Sequence, residues 1–519
     1  MIWLIAKKDF LLNLISVRLL IGFILCLVII PFTMIVSVDD FENRMRIYRI
    51  DQQNAENELK EIRVFSELRP PIVKQPEVLS IFSKGISPNI GNTTKVKFGE
   101  YPLLPSGHTS SRDNPLLNAF FSLDFATVIA IITSLLALIF SYDSFTRERE
   151  NGNMKLIFTT RAGRISFIFG KLAGLFLTLL PILIFCYLLA CMIAVASPDV
   201  SMSSSDRSGI ALLLLVSVIY MLVFILFGML ISVLATHSYS SIILCLISWI
   251  GFLFLIPNMA TYISQSISRT PLYDNIQAAI DNSHVDFEKQ KSDMLYKNVQ
   301  EMGVPFFWWN HDKGNDGFEI ITGGSWEVAK ALQMCNSRSE PLRVELADKI
   351  WAVQKEYLDK LIHQQQVRQY LSWLSPAELF GQATNALCRT DMNSFLKYME
   401  SQRDYRKKLI RYFTDNNLFE SFTYFTPQLE SEFATQQELD DFYEENKHLP
   451  YLQQRAHPKN MVSYTNSDIN ADNMPRFVYE MSKSSETLKA ALSRLASLLG
   501  ISILLLLSTI AAFMKYDVR

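Results

Sequence analysis

SYDSFTRERENGNMKLIFTTRAGRISFIFGK, residues 141–171, lies between two long apolar runs. From Asp143 to Lys171 it carries six basic and three acidic residues. A charged, glycine-containing segment between two membrane spans must sit in water on one side. Its basic excess assigns that side to the cytoplasm, where Lys and Arg near span ends are retained. The segment therefore fixes a topology and offers a surface to a cytoplasmic partner.

Outward from it, the chain of 519 residues separates apolar runs from charged ones. The runs are 19–38, 125–142, 172–197, 209–235, 240–257 and 495–514. Each is long enough to cross a hydrocarbon core of ~30 Å, which takes ~20 residues of helix. The fifth is the shortest and has soft ends. The first is too long for a signal-peptide core, and no small-residue cleavage site follows Pro31, Phe32, Thr33 and Met34, so it reads as a retained span. The expected fold is an all-α membrane protein with six transmembrane helices. Lys7, Lys8, Arg18, Lys515 and Arg519 place both termini in the cytoplasm. Segments 39–121 and 258–494 are then extracytoplasmic, and together they are expected to form a mainly helical domain from two insertions.

Residues 1–18 read as an interfacial helix with Asp9, Asn13 and Ser16 on one face. In the first insertion a charged helix over 39–66 is expected to stop at Arg69, Pro70 and Pro71, since proline cannot continue it. A strand-like piece follows at 95–98. The second insertion shows helical patterns at about 273–302, 341–374, 376–387, 392–414 and 437–447. Ser375 before Pro376, and Thr390 with Asp391, are helix starts with a capping side chain. Pro181 falls inside span three, where a kink is expected.

The spans hold almost no ionisable groups: Asp124 and Asp143 sit at the ends of span two and His237 at the inner end of span four. Ion-coupled transporters carry such groups at mid-span. If the chain transports, its energy comes from elsewhere. No nucleotide site is present, because Leu172 follows Gly170 and Lys171 where a phosphate loop needs Ser or Thr, and Ile165 replaces its first glycine. No metal site is expected: the seven histidines lack zinc spacing, and His311, Asp312 and Asp316 read as a solvated loop. No catalytic serine elbow appears. A net charge of −2 argues against nucleic acid as a partner. Cys26, Cys186, Cys191 and Cys245 fall in spans as packing residues. Cys335 and Cys388 both lie in the second insertion and are the candidate disulfide pair. The aromatic patch Pro305, Phe306, Phe307, Trp308 and Trp309 reads as domain core, with a membrane-interface or substrate contact as the alternative.

The loop at 141–171 resembles the first cytoplasmic loop of ABC-2 type transporter permeases. The residues that carry the likeness are Glu148, Arg149, Glu150, Asn151, Gly152 and the apolar run after Lys155, then Arg164, then Gly170 and Lys171. The family often has Thr after the glycine and Pro before the turn; here Asn153, Thr160 and Arg161 stand there. Asn114 to Leu117, Leu123 to Phe125, Ser141 to Asp143, SIFSKG at 80–85 and the stretch from Leu374 to Asp391 are similar to the subgroup with large insertions after spans one and five. That subgroup is described as the permease component of a multicopper-enzyme-maturation system. The resemblance implies a permease subunit, an exporter of the bacterial inner membrane, paired with a second permease and driven by a separate cytoplasmic ATPase that binds ATP and Mg. It implies no cofactor and no catalysis in this chain. It places Glu148, Arg149, Glu150, Gly152, Arg161 and Arg164 at or near the ATPase contact. Membrane lipid surrounds the spans, and an envelope partner is an option for the outer domain. The alternative is a membrane-anchored extracytoplasmic receptor or assembly scaffold without transport.

Overall fold

The computed structural model describes residues 2–87, 93–99, 124–152, 154, 163–268, 273–304, 310–313, 319–322, 324–454, 457–460, 469, 473–479 and 484–515. The chain begins with α1 (Ile2–Leu14) and α2 (Val17–Lys60). A two-stranded antiparallel ladder follows, β1 (Pro71–Val73) with β2 (Thr93–Lys95), Ile72 opposite Thr94. Then come α3 (Phe125–Ser141), the short α4 (Thr146–Glu150), α5 (Arg164–Ala196) and α6 (Ser204–Leu234). The fifth span is composite: α7 (Ser238–Ile250), a π-helical turn (Gly251–Leu255) and α8 (Ile256–Ile267). The second insertion contains α9 (Tyr273–Glu301), a hairpin of β3 (Asn310–Lys313) and β4 (Glu319–Thr322), α10 (Trp326–Leu371), α11 (Pro376–Leu387), α12 (Met392–Asp415) and α13 (Gln436–Glu445). Helix α14 (Ser484–Met514) closes the described chain.

Among the described residues six helical stretches are long and apolar enough to cross a membrane, and they coincide with the six apolar runs. The fold is that of an all-α membrane protein. Between spans the lipid supplies no hydrophobic drive, so close packing and buried hydrogen bonds must hold them. The nearest approaches fall at glycines: Gly22 against Leu136, and Gly228 against Ser141 and Leu138. Buried hydroxyls turn back onto their own helices, as Ser134 does to the Ala130 carbonyl, Thr178 to Gly174 and Thr509 to Leu505. None of these is an orphaned polar group in hydrocarbon.

A second core stands apart from the spans. It joins Ile62, Leu68, Ile72, Val96 and Phe98 of the first insertion to Val328, Leu332, Tyr398, Leu409 and Phe413 of the second. Arg406 is buried there and donates to the carbonyls of Lys97 and Phe98. The two insertions thus share one interior. Helix α11 belongs elsewhere: Leu379, Phe380, Ala383, Ala386 and Leu387 are part of the span core.

Two expected helix limits shift. Helix α2 ends at Lys60, ahead of Arg69, Pro70 and Pro71, because Ile62 and Val64 turn into buried positions and the chain must leave the helix to place them. Helix α10 starts at Trp326, capped by Ser325, and carries Pro341 inside it. An internal proline costs a helix about 3 kcal/mol or more; burial of Val328, Ala331, Leu332 and Cys335 before it and Ala347 and Ile350 after it offsets that. The short strand falls at Thr93–Lys95, two residues before the expected position. The starts at Ser375 and Asp391 stand as expected, each side chain accepting from the amide three residues on. Pro181 lies inside α5. The aromatic patch at 305–309 and Asp316 lie outside the described residues.

Candidate coupling site

Helix α4 is short and sits under the ends of almost every span. Its first amides are satisfied from another helix: the Ser232 hydroxyl of α6 accepts from the backbone of Phe145 at 3.0 Å and of Thr146 at 3.2 Å. That replaces the cap its own sequence lacks. Glu148, Arg149 and Glu150 each then hold a different neighbour.

Glu148 is buried and accepts from the Lys171 ammonium of α5 at 3.0 Å. Lys171, also buried, meets Asp9 of α1 at 3.1 Å, and Lys8 lies 3.5 Å from Glu148. Burial pushes the Asp9 carboxyl up from its ordinary value, with Lys171 pulling it back. Arg149 donates to the carbonyls of Ala235 at 2.6 Å and Val233 at 3.2 Å, closing the end of α6. A guanidinium suits the negative end of the helix dipole there. Glu150 accepts from the Ser238 amide at 2.8 Å and its hydroxyl at 2.7 Å, and so caps the start of α7.

The turn before α4 adds more. Arg18 of α2 donates to Asp143 and to the Tyr142 hydroxyl, both at 2.9 Å. Ser241 of α7 donates to the Tyr142 carbonyl at 2.7 Å. Phe145 meets Phe513 of α14 at 5.0 Å and Phe167 of α5 at 5.9 Å between ring centroids. The result is one knot of side chains tying α1, α2, α5, α6, α7 and α14 to residues 142–150.

Helix α1 reaches the knot because α5 offers it glycines. A Cβ on Gly170 would meet Ile5 at 2.8 Å, and one on Gly174 would meet the Asp9 Cβ at 3.0 Å and the Ala6 carbonyl at 3.1 Å. The spacing of the two puts both on one face, the small-xxx-small arrangement that lets helix backbones approach. The polar ridge of α1 therefore turns inward: Asp9 to Lys171, Asn13 to Thr178 at 3.4 Å, and Ser16 capping α2. Its apolar residues Ile2, Trp3, Leu4, Leu11 and Leu12 are the exposed ones. A polar cavity of about 200 Å³ remains between α1, α4 and α5, lined by Lys8, Asp9, Asn13, Asp143, Arg147 and Lys171 among others.

Of the residues singled out in the sequence, the structure gathers Glu148, Arg149, Glu150 and Gly152 on α4 and its exit turn. Arg164 begins α5 and donates to the Met514 carbonyl at 2.6 Å. Arg161 lies outside the described residues. Gly152 is exposed with φ +71°, a left-handed turn that favours glycine. Arg147 and Asn151 are exposed beside it. Lys171, Asp9, Arg18 and Ser232 were not singled out as site residues. A lysine immediately before an apolar run, and an aspartate on the ridge of α1, were the available signals. Cys335 and Cys388 are unbonded: Cys335 donates to the Lys291 carbonyl within the insertion, while Cys388 packs in the span core. No group of three or more His, Cys, Asp or Glu placed to hold a metal ion occurs among the described residues.

The chain matches the family described as ABC-2 family transporter protein over residues 3–518. It belongs to the ABC-2 transporter family. The ABC-2 chain described here is accordingly the membrane-spanning part of an ABC transporter, and such a part is not its catalytic subunit. No curated protein matches the sequence.

Proposed function

We propose that this ABC-2 permease is the membrane subunit of an exporter in the bacterial cytoplasmic membrane. In this reading both termini and residues 143–171 are cytoplasmic, and a separate ATPase, which binds ATP and Mg, docks on the exit of α4. A second permease subunit completes the pump. The supporting observation is the division of labour on α4. Glu148 and Arg149 grip α5 and α6 from within and Glu150, itself exposed, caps α7, while Arg147, Asn151 and Gly152 are exposed beside it. A push on the exposed turn reaches several span ends at once, which is what coupling by a rigid lever requires. Glu148 and Arg149 thus serve the lever's inner side, and exposed Arg147 and Glu150 carry the two charge signs that set partner register.

The test is co-purification with a candidate ABC ATPase subunit. The ATPase is expected to accompany the wild type, and to be lost from Gly152→Pro, which cannot hold φ +71°, and from Glu150→Arg, which removes the cap of α7 and sets a positive charge at that helix's positive end. Retention of the ATPase at wild-type level by both variants, in protein that still folds by thermal unfolding, overturns the coupling role.

A further inference from the structure

Three span ends meet at one level beside α1. The apolar run of α3 stops at residue 142, that of α5 starts at 172 and that of α2 starts at 19. Asp143, Lys171 and Arg18 stand just outside those runs. Asp143 pairs with Arg18 at 2.9 Å, and Lys171 meets Asp9 at 3.1 Å and Glu148 at 3.0 Å. Charged side chains at the edges of apolar runs mark the level of the lipid headgroups. The cavity of about 200 Å³ between α1, α4 and α5 has Asp143 and Lys171 in its wall, so it lies at that level. It is larger than a single bridging water would fill.

The charges around this cavity do not cancel. Lys8, Arg18, Arg147 and Lys171 stand against Asp9, Asp143 and Glu148, four cations to three carboxylates. Every carboxylate is answered, by Lys171 or by Arg18. Arg147 is the cation left over. It is exposed, it lines the cavity, and its guanidinium has no hydrogen-bond or ion-pair partner among the described residues. Lys8, in the same wall, is only partly engaged: its ammonium lies 3.5 Å from Glu148 and its side chain is 56 % exposed. A guanidinium and an ammonium on one polar wall are the donors that phosphate oxygens need. The Asn13 and Asn151 amides and the Ser144 hydroxyl add uncharged donors beside them.

The apolar part of the wall points to a lipid. Leu12 lines the cavity, is 51 % exposed, and continues the exposed apolar surface of Trp3, Leu4 and Leu11 on α1. A helix of this kind lies along the bilayer surface with its apolar residues among the acyl chains. From this we infer that the cavity is a headgroup site for an anionic phospholipid. The phosphodiester, with its single negative charge, lies between Arg147 and Lys8 and cancels the surplus cation. An uncharged alcohol such as glycerol meets the amides and the Ser144 hydroxyl, and the acyl chains run over Leu12. The lipid then ties α1 to the exit of α4. The inference needs only that this end of the bundle lies at a membrane surface, so it stands whether or not an ATPase docks there.

The test is native mass spectrometry of the full chain in detergent, with phosphatidylglycerol or phosphatidylcholine added in turn. The wild type is expected to bind phosphatidylglycerol more tightly than phosphatidylcholine. Lys8→Gln with Arg147→Gln is expected to remove that preference, a fall of roughly tenfold or more in phosphatidylglycerol affinity. Lys289→Gln with Lys297→Gln, on the exposed face of α9, removes the same charge elsewhere and is expected to bind as the wild type does. Glycerol phosphate, the water-soluble form of the same headgroup, is expected not to displace the lipid. Equal binding by the wild type and the Lys8, Arg147 variant overturns the inference. An equal loss in the α9 variant assigns the preference to overall charge and overturns it too. Displacement by glycerol phosphate at the lipid's own concentration assigns the cavity to a free phosphate and overturns the lipid. Arg147→Gln alone gives the same reading should the double variant not fold.

Discussion

At Lys171 two carboxylates, Asp9 and Glu148, share one buried ammonium, with Lys8 at the edge. Removing the shared cation leaves Asp9 and Glu148 buried with the ammonium between them gone, a loss on the order of 3–5 kcal/mol for a broken buried pair. Lys171→Met is expected to lower the thermal unfolding midpoint in detergent sharply, and adding Asp9→Asn with Glu148→Gln is expected to restore most of it. A second buried group acts at the opposite end of the bundle. Glu77 is near Lys74, Arg389 and Asp206; burial pushes its carboxyl up, while Lys74 and Arg389 pull it back. A carboxyl raised in the folded state binds its proton more tightly there than in the unfolded chain, so stability falls as pH rises from the ordinary value of 4.5 through the raised one. Glu77→Gln is expected to flatten that part of the stability–pH curve, read by thermal unfolding across the acidic range. An unchanged slope would assign the acid sensitivity to other groups.

At the scale of elements, the packing of α1 on α5 depends on two glycines rather than on the charge they bring together. Gly174 faces the backbone of Ala6 and the Cβ of Asp9, so a branched side chain there has no room. Gly174→Leu is expected to displace α1 and expose it to added protease while the insertion domain keeps its fold. Protection equal to wild type would show that α1 is held by the salt bridges alone. The fifth span shows another device. Gly251–Leu255 forms a π-helical turn just before Pro257 at the start of α8, and such turns absorb a residue where a regular ladder fails. Its Phe252 carbonyl is the one that receives the Ser375 hydroxyl.

Across the whole molecule, Arg389 joins the insertions to the spans. It meets Glu77 of the first insertion at 3.3 Å, Asp206 in the capping box of α6 at 3.7 Å and the Ser205 hydroxyl at 3.0 Å. It also adopts φ +60°, uncommon for a residue with a side chain. Arg389→Met is expected to leave two buried acids facing each other and to loosen the domain from the bundle, seen as faster proteolysis of the insertions than of the spans. Equal rates for the two would show that α11 alone carries the attachment. The sequence by itself determined the six spans, their order and the helix starts at Ser375 and Asp391, because apolar length and capping chemistry are local. It also marked 141–171 through charge and through Gly170 and Lys171. It did not show which way the polar ridge of α1 turns, nor that Glu148 and Arg149 face inward and Glu150 caps α7, because those depend on which helix ends meet. The end of α2 at Lys60 and the passage of α10 through Pro341 were likewise decided by burial against distant residues, which outweighs the local preference of a proline. Placement of α11 within the span core was decided the same way: its own sequence reads as an ordinary amphipathic helix, and only the surfaces of α3, α6 and α14 say where its apolar face is buried.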